Sequence, residues 1–257
     1  MSLRRPLVTF NKVSCLRAFY GFFAVALVSR VLSDIFELHR WSIHQGGAFP
    51  FRHLLEAIPI YPVSILLIEW TLLLLGALFL LTKKTRLGAL LSLLGLLMSL
   101  SQMFQNQKVL LLLVAFALSV GPSLEKMKTD EKNDTSMFLK WQILLVYLFS
   151  AISKIFDQFP SGETLKMMDQ TLFSHQFAVN WIYPAMSGVV VLIELFLPLL
   201  LWKKPKLGIL AVFILHAGFA VFLSDIFPFS LAMISLSFLF LIPDGSRSPD
   251  QRLVENS

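Results

Sequence analysis

The stretch "KWQILLVYLFSAISKIFDQFPSG", residues 140–162, contains an apolar run with Lys154 near its end. A helix needs about 20 mostly apolar residues to cross a bilayer, so this run predicts a membrane-spanning helix. An ammonium group in hydrocarbon costs roughly 3 kcal/mol or more, and charged residues there usually have a function. The stretch therefore predicts a membrane helix and makes Lys154 a candidate functional residue.

The composition extends the membrane prediction to the whole chain. Of its 257 residues, 56% are hydrophobic and only 15% are charged, whereas soluble domains have about 25% charged residues. The net charge of +6 lies mostly in short connections, where it indicates topology rather than a nucleic-acid partner. Cys15 is the only cysteine, so no internal disulfide can form. The prediction is an all-α, polytopic integral membrane bundle surrounded by membrane lipid.

About eight transmembrane helices are predicted from the apolar runs 15–35, 61–81, 87–105, 108–122, 138–156, 182–202, 207–224 and 228–243. Lys and Arg alternate between the connections: fifteen lie on the side that holds both termini and four on the other side. The positive-inside rule then places both termini in the cytoplasm. The expected organisation is a cytoplasmic segment 1–14, a transmembrane domain 15–243 with a cytoplasmic linker at 123–136, and a cytoplasmic tail 244–257.

With this topology, most polar residues inside the spans fall in the external half of the bilayer. Arg30 and Asp34 lie four residues apart on one helix face and can pair, and a purely structural pair is the competing interpretation. Glu194 is the exception, because it should lie deeper and be a separate, structural group. The other members of the external set are Glu69, Gln102, Gln105, Asn106, Lys154, Asp157, His216 and Asp225.

The face of the fifth span that bears Lys154 is polar. Tyr147 and Ser150 precede Lys154 by seven and four residues, so the three form one stripe along the helix. A lysine that extends to the membrane interface is the competing interpretation. Such a lysine would have large apolar neighbours, whereas Ser150 and Ala151 leave room beside Lys154. His216, taken alone, also fits a histidine buried in the core.

Other sequence motifs for catalysis are absent. There is no glycine-rich phosphate loop, no His–Cys metal spacing and no nucleophile elbow. Three histidines, His39, His44 and His53, share one external connection, but their spacing is not that of a helical metal pair. We therefore predict no metal site.

Several segments, in this order, resemble the HTTM (horizontally transferred transmembrane) family, which includes the vitamin K-dependent gamma-glutamyl carboxylases. The segment 142–162 is similar to the one that bears the family's active-site lysine, and His216 falls at the family's histidine. The resemblance covers roughly residues 14 to 243. The matching segments are "CLRAFYGFFAVALVSRVLSDI" (15–35), "LLLLGALFLLTKKTRLGALL" (72–91), "QILLVYLFSAISKIFDQFPSG" (142–162), "LIELFLPLLL" (192–201) and "LHAGFAVFLSDIFPFSLAMISLSFLFLIP" (215–243).

The resemblance implies a reduced, vitamin K-like quinone as cofactor and a carboxylase-like lyase activity. Lys154 would be the general base that deprotonates the quinol, since desolvation favours the neutral amine that accepts a proton. The residues expected to bind the quinone are Asn106, Gln107, His216, Tyr147 and Ser150. An external protein or peptide substrate is implied as well.

The sequence also departs from the family at identifiable positions. Gln107 stands where the carboxylase has a histidine that contacts the quinone, and glutamine cannot titrate. Phe159 stands where the carboxylase has a tryptophan. The residues after 243 do not supply the large external domain that holds the carboxylase's substrate, so full activity on protein glutamates is not expected. The alternative is a non-enzymatic membrane subunit or scaffold whose intramembrane polar residues are structural.

Overall fold

The computed structural model describes residues 11–41, 63–102, 106–125, 133–157, 159–163, 181–222 and 226–242. Within these ranges the chain is all-helical and contains no strand, which confirms the all-α part of the predicted fold class. Short 3₁₀ helices follow two of the helices, at Phe159–Ser161 and Phe238–Leu241. The α-helices are α1 (Lys12–Trp41), α2 (Val63–Leu80), α3 (Thr85–Gln102), α4 (Asn106–Val120), α5 (Asp134–Phe156), α6 (Ile182–Lys203), α7 (Pro205–Phe222) and α8 (Phe227–Ser237).

Three of these helices are long and apolar enough to cross a membrane: Lys12–Ile35 within α1, Asp134–Phe156, and Ile182–Lys203. Within the described ranges, helix length and composition therefore support three spans, fewer than the eight that the sequence predicts. Several predicted spans, such as 61–81 and 87–105, extend beyond those ranges. The shorter apolar helices are Ile65–Leu80, Thr85–Leu100, Lys108–Val120, Pro205–Phe219 and Phe227–Leu241.

Local sequence signals explain where helices begin and end. Asn133 caps α5, because its side chain accepts a hydrogen bond from the Ser136 backbone N–H at 3.0 Å. The helix therefore begins inside the predicted linker 123–136. Pro205 begins α7 and Pro228 lies in the first turn of α8, positions at which proline's missing N–H is tolerated.

The core forms where neighbouring helices pack along their apolar faces. Helix α1 packs against α8 and α2, and α5 packs against α6. Phe19, Phe23 and Leu27 of α1 are fully buried in one continuous cluster with Met233 and Leu236 of α8. Because α1 contacts elements from both halves of the chain, it holds the two halves together.

Small residues allow α2 and α3 to approach closely. A Cβ at Gly88 would meet the backbone of Leu80 and Gly76, and a Cβ at Gly76 would meet Ser92. Small residues at such contacts are typical of membrane helix pairs, where close packing replaces the hydrophobic effect as the main driving force.

Helices α3, α4 and α5 alternate in direction, because the end of α4 meets both the start of α3 and, through Pro122 and Thr135, the start of α5. The bundle therefore has two distinct ends. At the first end, Arg86 Nε at the start of α3 donates to the Ser119 carbonyl near the end of α4, at 2.8 Å. There too, Lys140 Nζ near the start of α5 donates to the Ile242 carbonyl at 3.3 Å. At the second end, Lys108 Nζ at the start of α4 donates to the Ser99 carbonyl near the end of α3, at 3.1 Å. Lys154, near the end of α5, lies toward this second end.

Candidate functional site

Lys154 forms an ion pair with Glu194 between α5 and α6. Its Nζ lies 2.5 Å from Glu194 Oε1 and 2.6 Å from Oε2, and it donates to Ser150 Oγ at 2.8 Å. Ser150 Oγ in turn donates to Glu194 Oε2 at 3.1 Å. The Glu194 side chain is only 3% exposed and that of Lys154 is 22% exposed. The three side chains therefore form a compact hydrogen-bonded group inside the bundle.

The Lys154 side chain runs back along its own helix. It bonds to Ser150, four residues earlier, so it extends toward the N-terminus of α5, which is the direction in which helical side chains tilt. The predicted span 138–156 ends just after Lys154, so the nearer membrane interface is expected the other way, beyond the end of α5. The observed direction differs from that of a lysine that extends to the interface.

The prediction that Glu194 is a separate group is wrong, because Glu194 is the partner of Lys154. A sequence position gives the place of a residue's Cα along its helix, not the place of the charge at the end of a long side chain. The Lys154 side chain extends back along α5 and reaches Glu194 on α6. Glu194 lies on the buried face of α6 together with Val191 and Leu197, and this face packs toward α5.

A second polar group lies beside the ion pair. The Tyr147 hydroxyl is 2.9 Å from His216 Nε2, and His216 Nδ1 is 3.1 Å from Ser230 Oγ. All three side chains are buried. Since both ring nitrogens have partners on different helices, the imidazole is held in one orientation between α5, α7 and α8.

Aromatic rings join the two polar groups. Lys154 Nζ lies 5.7 Å from the ring centroid of Phe219 and 5.5 Å from that of Phe159. The Phe219 ring also packs edge-on against His216, with the centroids 5.6 Å apart. Tyr147, Ser150, Lys154 and His216 thus lie in one region of the bundle, while their roles in binding and catalysis stay predictions.

The loop after α5 places Phe159 next to Lys154. Gly162 has φ of +82°, a conformation that favours glycine, and its N–H donates to the Phe159 carbonyl at 3.0 Å. A Cβ at Gly162 would also collide with Tyr183 and Pro184 at the start of α6. Glycine at this position therefore allows the loop to turn tightly against α6 and to present the Phe159 ring to the lysine.

Helix α6 brings two polar features that the sequence analysis missed. Pro198 has no N–H, so the Glu194 carbonyl lacks its usual partner four residues along the helix. Ser187 is fully buried on the same helix face as Glu194, and its Oγ has no hydrogen-bond partner among the described residues. Ser187, Val191 and Glu194 are spaced by four and then three residues, which places them on one face of a helix. This spacing could have predicted that Ser187 and Glu194 lie on the same buried face. Ser230 offered no such signal, because it meets His216 only through the packing of α8 against α7.

Two predicted quinone-binding residues cannot be placed in the site. Asn106 and Gln107 form the start of α4, but their side chains lie outside the described residues. The predicted pairing of Arg30 and Asp34 is confirmed, with Arg30 Nε donating to Asp34 Oδ2 at 3.2 Å and Nη2 donating to Oδ1. In the part of the chain that the structure describes, no three His, Cys, Asp or Glu side chains are grouped so as to hold a metal ion.

The arrangement can bind and move a proton. It combines an amine, a carboxylate and a hydroxyl in direct contact with one another, and a fixed Tyr–His–Ser chain beside them. Comparisons of this chain with protein families, with curated proteins and with solved structures find no match.

Proposed function

We propose that this chain is a multi-pass membrane protein of about eight spans that binds a reduced, vitamin K-like quinone and uses Lys154 as a general base. The observation that carries the proposal is the ion pair of Lys154 with Glu194 inside the bundle, at hydrogen-bond distance from Ser150. An intramembrane charge that faces a partner rather than lipid is typical of functional sites. The resemblance of residues 14 to 243 to the HTTM family supports the choice of ligand.

Lys154 and Glu194 together supply a base. Transfer of one proton from Lys154 Nζ to Glu194, along their contact of 2.5 Å, converts the charged pair into a neutral amine and a neutral carboxyl group. This neutral pair is the state in which Lys154 can act as a base. The neutral amine can then accept a proton from a weakly acidic hydroxyl group. Glu194 thus stores the proton that Lys154 must release before it can act.

The surrounding residues fit a quinone. Ligand sites are mostly apolar with a few well-placed polar groups, and here Phe159 and Phe219 lie beside Lys154 while Tyr147 and His216 provide hydrogen-bonding groups. When bound, the reduced quinone would supply the reducing equivalents and, with oxygen, the strong base that the resemblance implies. Tyr147 and His216 would orient it, and Lys154 would take its proton.

A non-enzymatic membrane subunit is the second candidate function, and one observation favours it. The Lys154–Glu194 pair joins α5 to α6 and leaves both groups with partners. A pair of this kind can serve only to fix the packing of two helices. In that case no quinone would be bound, and Lys154 could be exchanged for other residues that keep the pair.

The proposed topology can be tested with single cysteines in a Cys15→Ala background. Cysteines at Gln45 or Gln170 should react with an impermeant maleimide added to intact cells, because the charge alternation puts these connections outside. Cysteines at Lys84 or Asp130 should react only after the cells are permeabilised. The reverse pattern would place the Lys154 end of the bundle on the cytoplasmic side and would remove the proposal of an external site.

Mass spectrometry of lipids extracted from the purified protein tests the ligand. We expect a quinone that is enriched over the bulk membrane extract. His216→Phe should reduce this enrichment, because it removes the hydrogen bonds to Tyr147 and Ser230. Leu192→Ala is the matched control, since Leu192 is an exposed apolar residue of α6 and its loss should leave the quinone in place. Wild-type protein with no quinone above background would favour the non-enzymatic subunit.

A further inference from the structure

A small pocket lies at the first end of the bundle, opposite the end to which Lys154 belongs. It opens between the start of α3 and the end of α4. Its polar lining residues are Tyr20 of α1, Thr85 and Arg86 of α3, and Ser123 after α4. The pocket is partly open to the outside, so it can take one polar group of a larger molecule.

Arg86 supplies the positive charge of this pocket. Its Nε donates to the Ser119 carbonyl at 2.8 Å, which holds the side chain beside the end of α4. Within the described ranges, no other hydrogen bond or ion pair of Arg86 is found, and the residue is exposed. A guanidinium has five N–H donors, so donors remain for a ligand. Their planar arrangement matches the oxygens of a phosphate group.

The start of α3 adds to this preference for an anion. Thr85 and Arg86 are the first two residues of this 18-residue helix, and the first N–H groups of a helix have no partners within it and attract negative charge. Lys83 and Lys84 precede them and are exposed, while Glu125, also exposed, follows the lining segment of α4. Three positive charges therefore stand against one negative charge.

The whole first end of the bundle presents basic side chains. The rings of Trp141 and Trp202 lie 5.8 Å apart, so the end of α6 meets the start of α5, and the exposed lysines of 203–206 belong to this end. At the second end, by contrast, Lys108 is buried and Lys154 is partly buried. The positive-inside rule puts the basic end at the cytoplasmic leaflet, whose anionic lipids attract basic residues.

An apolar surface begins where the pocket ends. Exposed apolar side chains continue from the pocket along both helices, namely Leu87 and Leu90 on α3 and Phe116 and Val120 on α4. Leu87 directly follows Arg86, and Val120 directly follows Ser119, so polar and apolar surfaces adjoin on each helix. A free phosphate ion would use the pocket alone, whereas a phospholipid would use both surfaces.

We propose that this pocket binds the phosphate group of an anionic phospholipid. Arg86 and the first N–H groups of α3 hold the phosphate, and an acyl chain lies along the exposed faces of α3 and α4. The proposal rests on the membrane placement of the bundle in the proposed function. It needs neither a quinone nor Lys154.

Native mass spectrometry of the purified protein, titrated with phosphatidylglycerol or phosphatidylcholine, tests the proposal. Wild-type protein should bind phosphatidylglycerol more tightly, because the choline of the other lipid carries a positive charge that Lys83 and Lys84 repel. Arg86→Gln should weaken phosphatidylglycerol binding roughly tenfold, the loss expected for one charged hydrogen-bonded contact. Lys204→Gln is the matched control: it removes the same charge at the same end but outside the pocket, and binding should change little.

A second variant separates binding from folding. Arg86→Gln also removes the bond to the Ser119 carbonyl, so its unfolding midpoint must be measured beside its lipid binding. Ser123→Asp keeps that bond and adds a carboxylate to the pocket lining, and it should weaken phosphatidylglycerol binding as well. If Arg86→Gln does not fold, the result for Ser123→Asp decides the question.

Three outcomes would overturn the proposal. Equal affinity of wild-type protein for the two lipids would show that the pocket does not select an anion. Equal losses in Arg86→Gln and Lys204→Gln would show that the charge of the whole end, and not this pocket, attracts the lipid. In neutral detergent, phosphatidylglycerol should raise the unfolding midpoint and inorganic phosphate at the same concentration should not. An equal rise with phosphate would assign the pocket to a free ion. Quinone binding is measured separately, so either proposal can fail without the other.

Discussion

Glu194→Gln should destabilise the protein by about 3 kcal/mol, because it removes one partner of a largely buried ion pair. The Lys154 ammonium would remain between α5 and α6 with the Ser150 hydroxyl and the new amide as its hydrogen-bonding neighbours. Neither of these groups carries a compensating negative charge. The measurement is the thermal unfolding midpoint of the purified protein in one fixed detergent or lipid.

The double variant Lys154→Met, Glu194→Gln is the control for this prediction. It removes the lysine's charge together with its partner, so no unpaired charge stays in the bundle, and most of the lost stability should return. Such recovery is the non-additivity expected of residues in direct contact. The single variants Lys154→Met and Glu194→Gln each lose some stability against unfolding. If these two losses simply add up in the double variant, the Lys154–Glu194 contact does not hold α5 and α6 together in the native protein.

Lys154→Arg should abolish activity while the protein still folds. Arginine keeps the positive charge and can pair with Glu194, but a guanidinium does not give up its proton in a protein and cannot serve as a base. General-base catalysis accelerates a reaction about 100-fold or more. The rate at which the protein oxidises an added reduced naphthoquinol should therefore fall by about 100-fold or more. The unfolding midpoint, recorded beside the activity, should change little.

Substitution of Lys154 by arginine separates a catalytic role of Lys154 from a structural one. Lys154→Ala would remove the base and the ion pair together, so it cannot separate a catalytic role from a structural one. A stable and fully active Lys154→Arg protein would contradict the assignment of Lys154 as a base. The second candidate function, a structural ion pair in a membrane subunit, would then be the better account.

Features that depend on local sequence could be predicted. The apolar runs predicted the helices. The spacing of Arg30 and Asp34 predicted their ion pair, because residues four apart on a helix are neighbours whatever the packing of the other helices. The stripe of Tyr147, Ser150 and Lys154 followed from the same rule. These predictions need only the 3.6-residue repeat and the length of a membrane helix.

Features that depend on how helices pack could not be predicted in this way. The partnership of Lys154 with Glu194 depends on the alignment of α5 with α6 and on the direction of a long side chain. The contact of His216 with Ser230 depends on how α8 lies against α7. The burial of Lys108 could not be predicted either, because a sequence cannot show that the first turn of α4 packs against the end of α3.

The most direct test of the central claim follows the proton on Glu194. We would record the infrared difference spectrum of the purified protein when a reduced naphthoquinol is added without oxygen. We expect a protonated-carboxyl band to appear in wild-type protein and to be absent from both Glu194→Gln and Lys154→Arg. A wild-type spectrum without this band, in a sample shown to bind the naphthoquinol, would contradict the claim that Lys154 and Glu194 act together as a base.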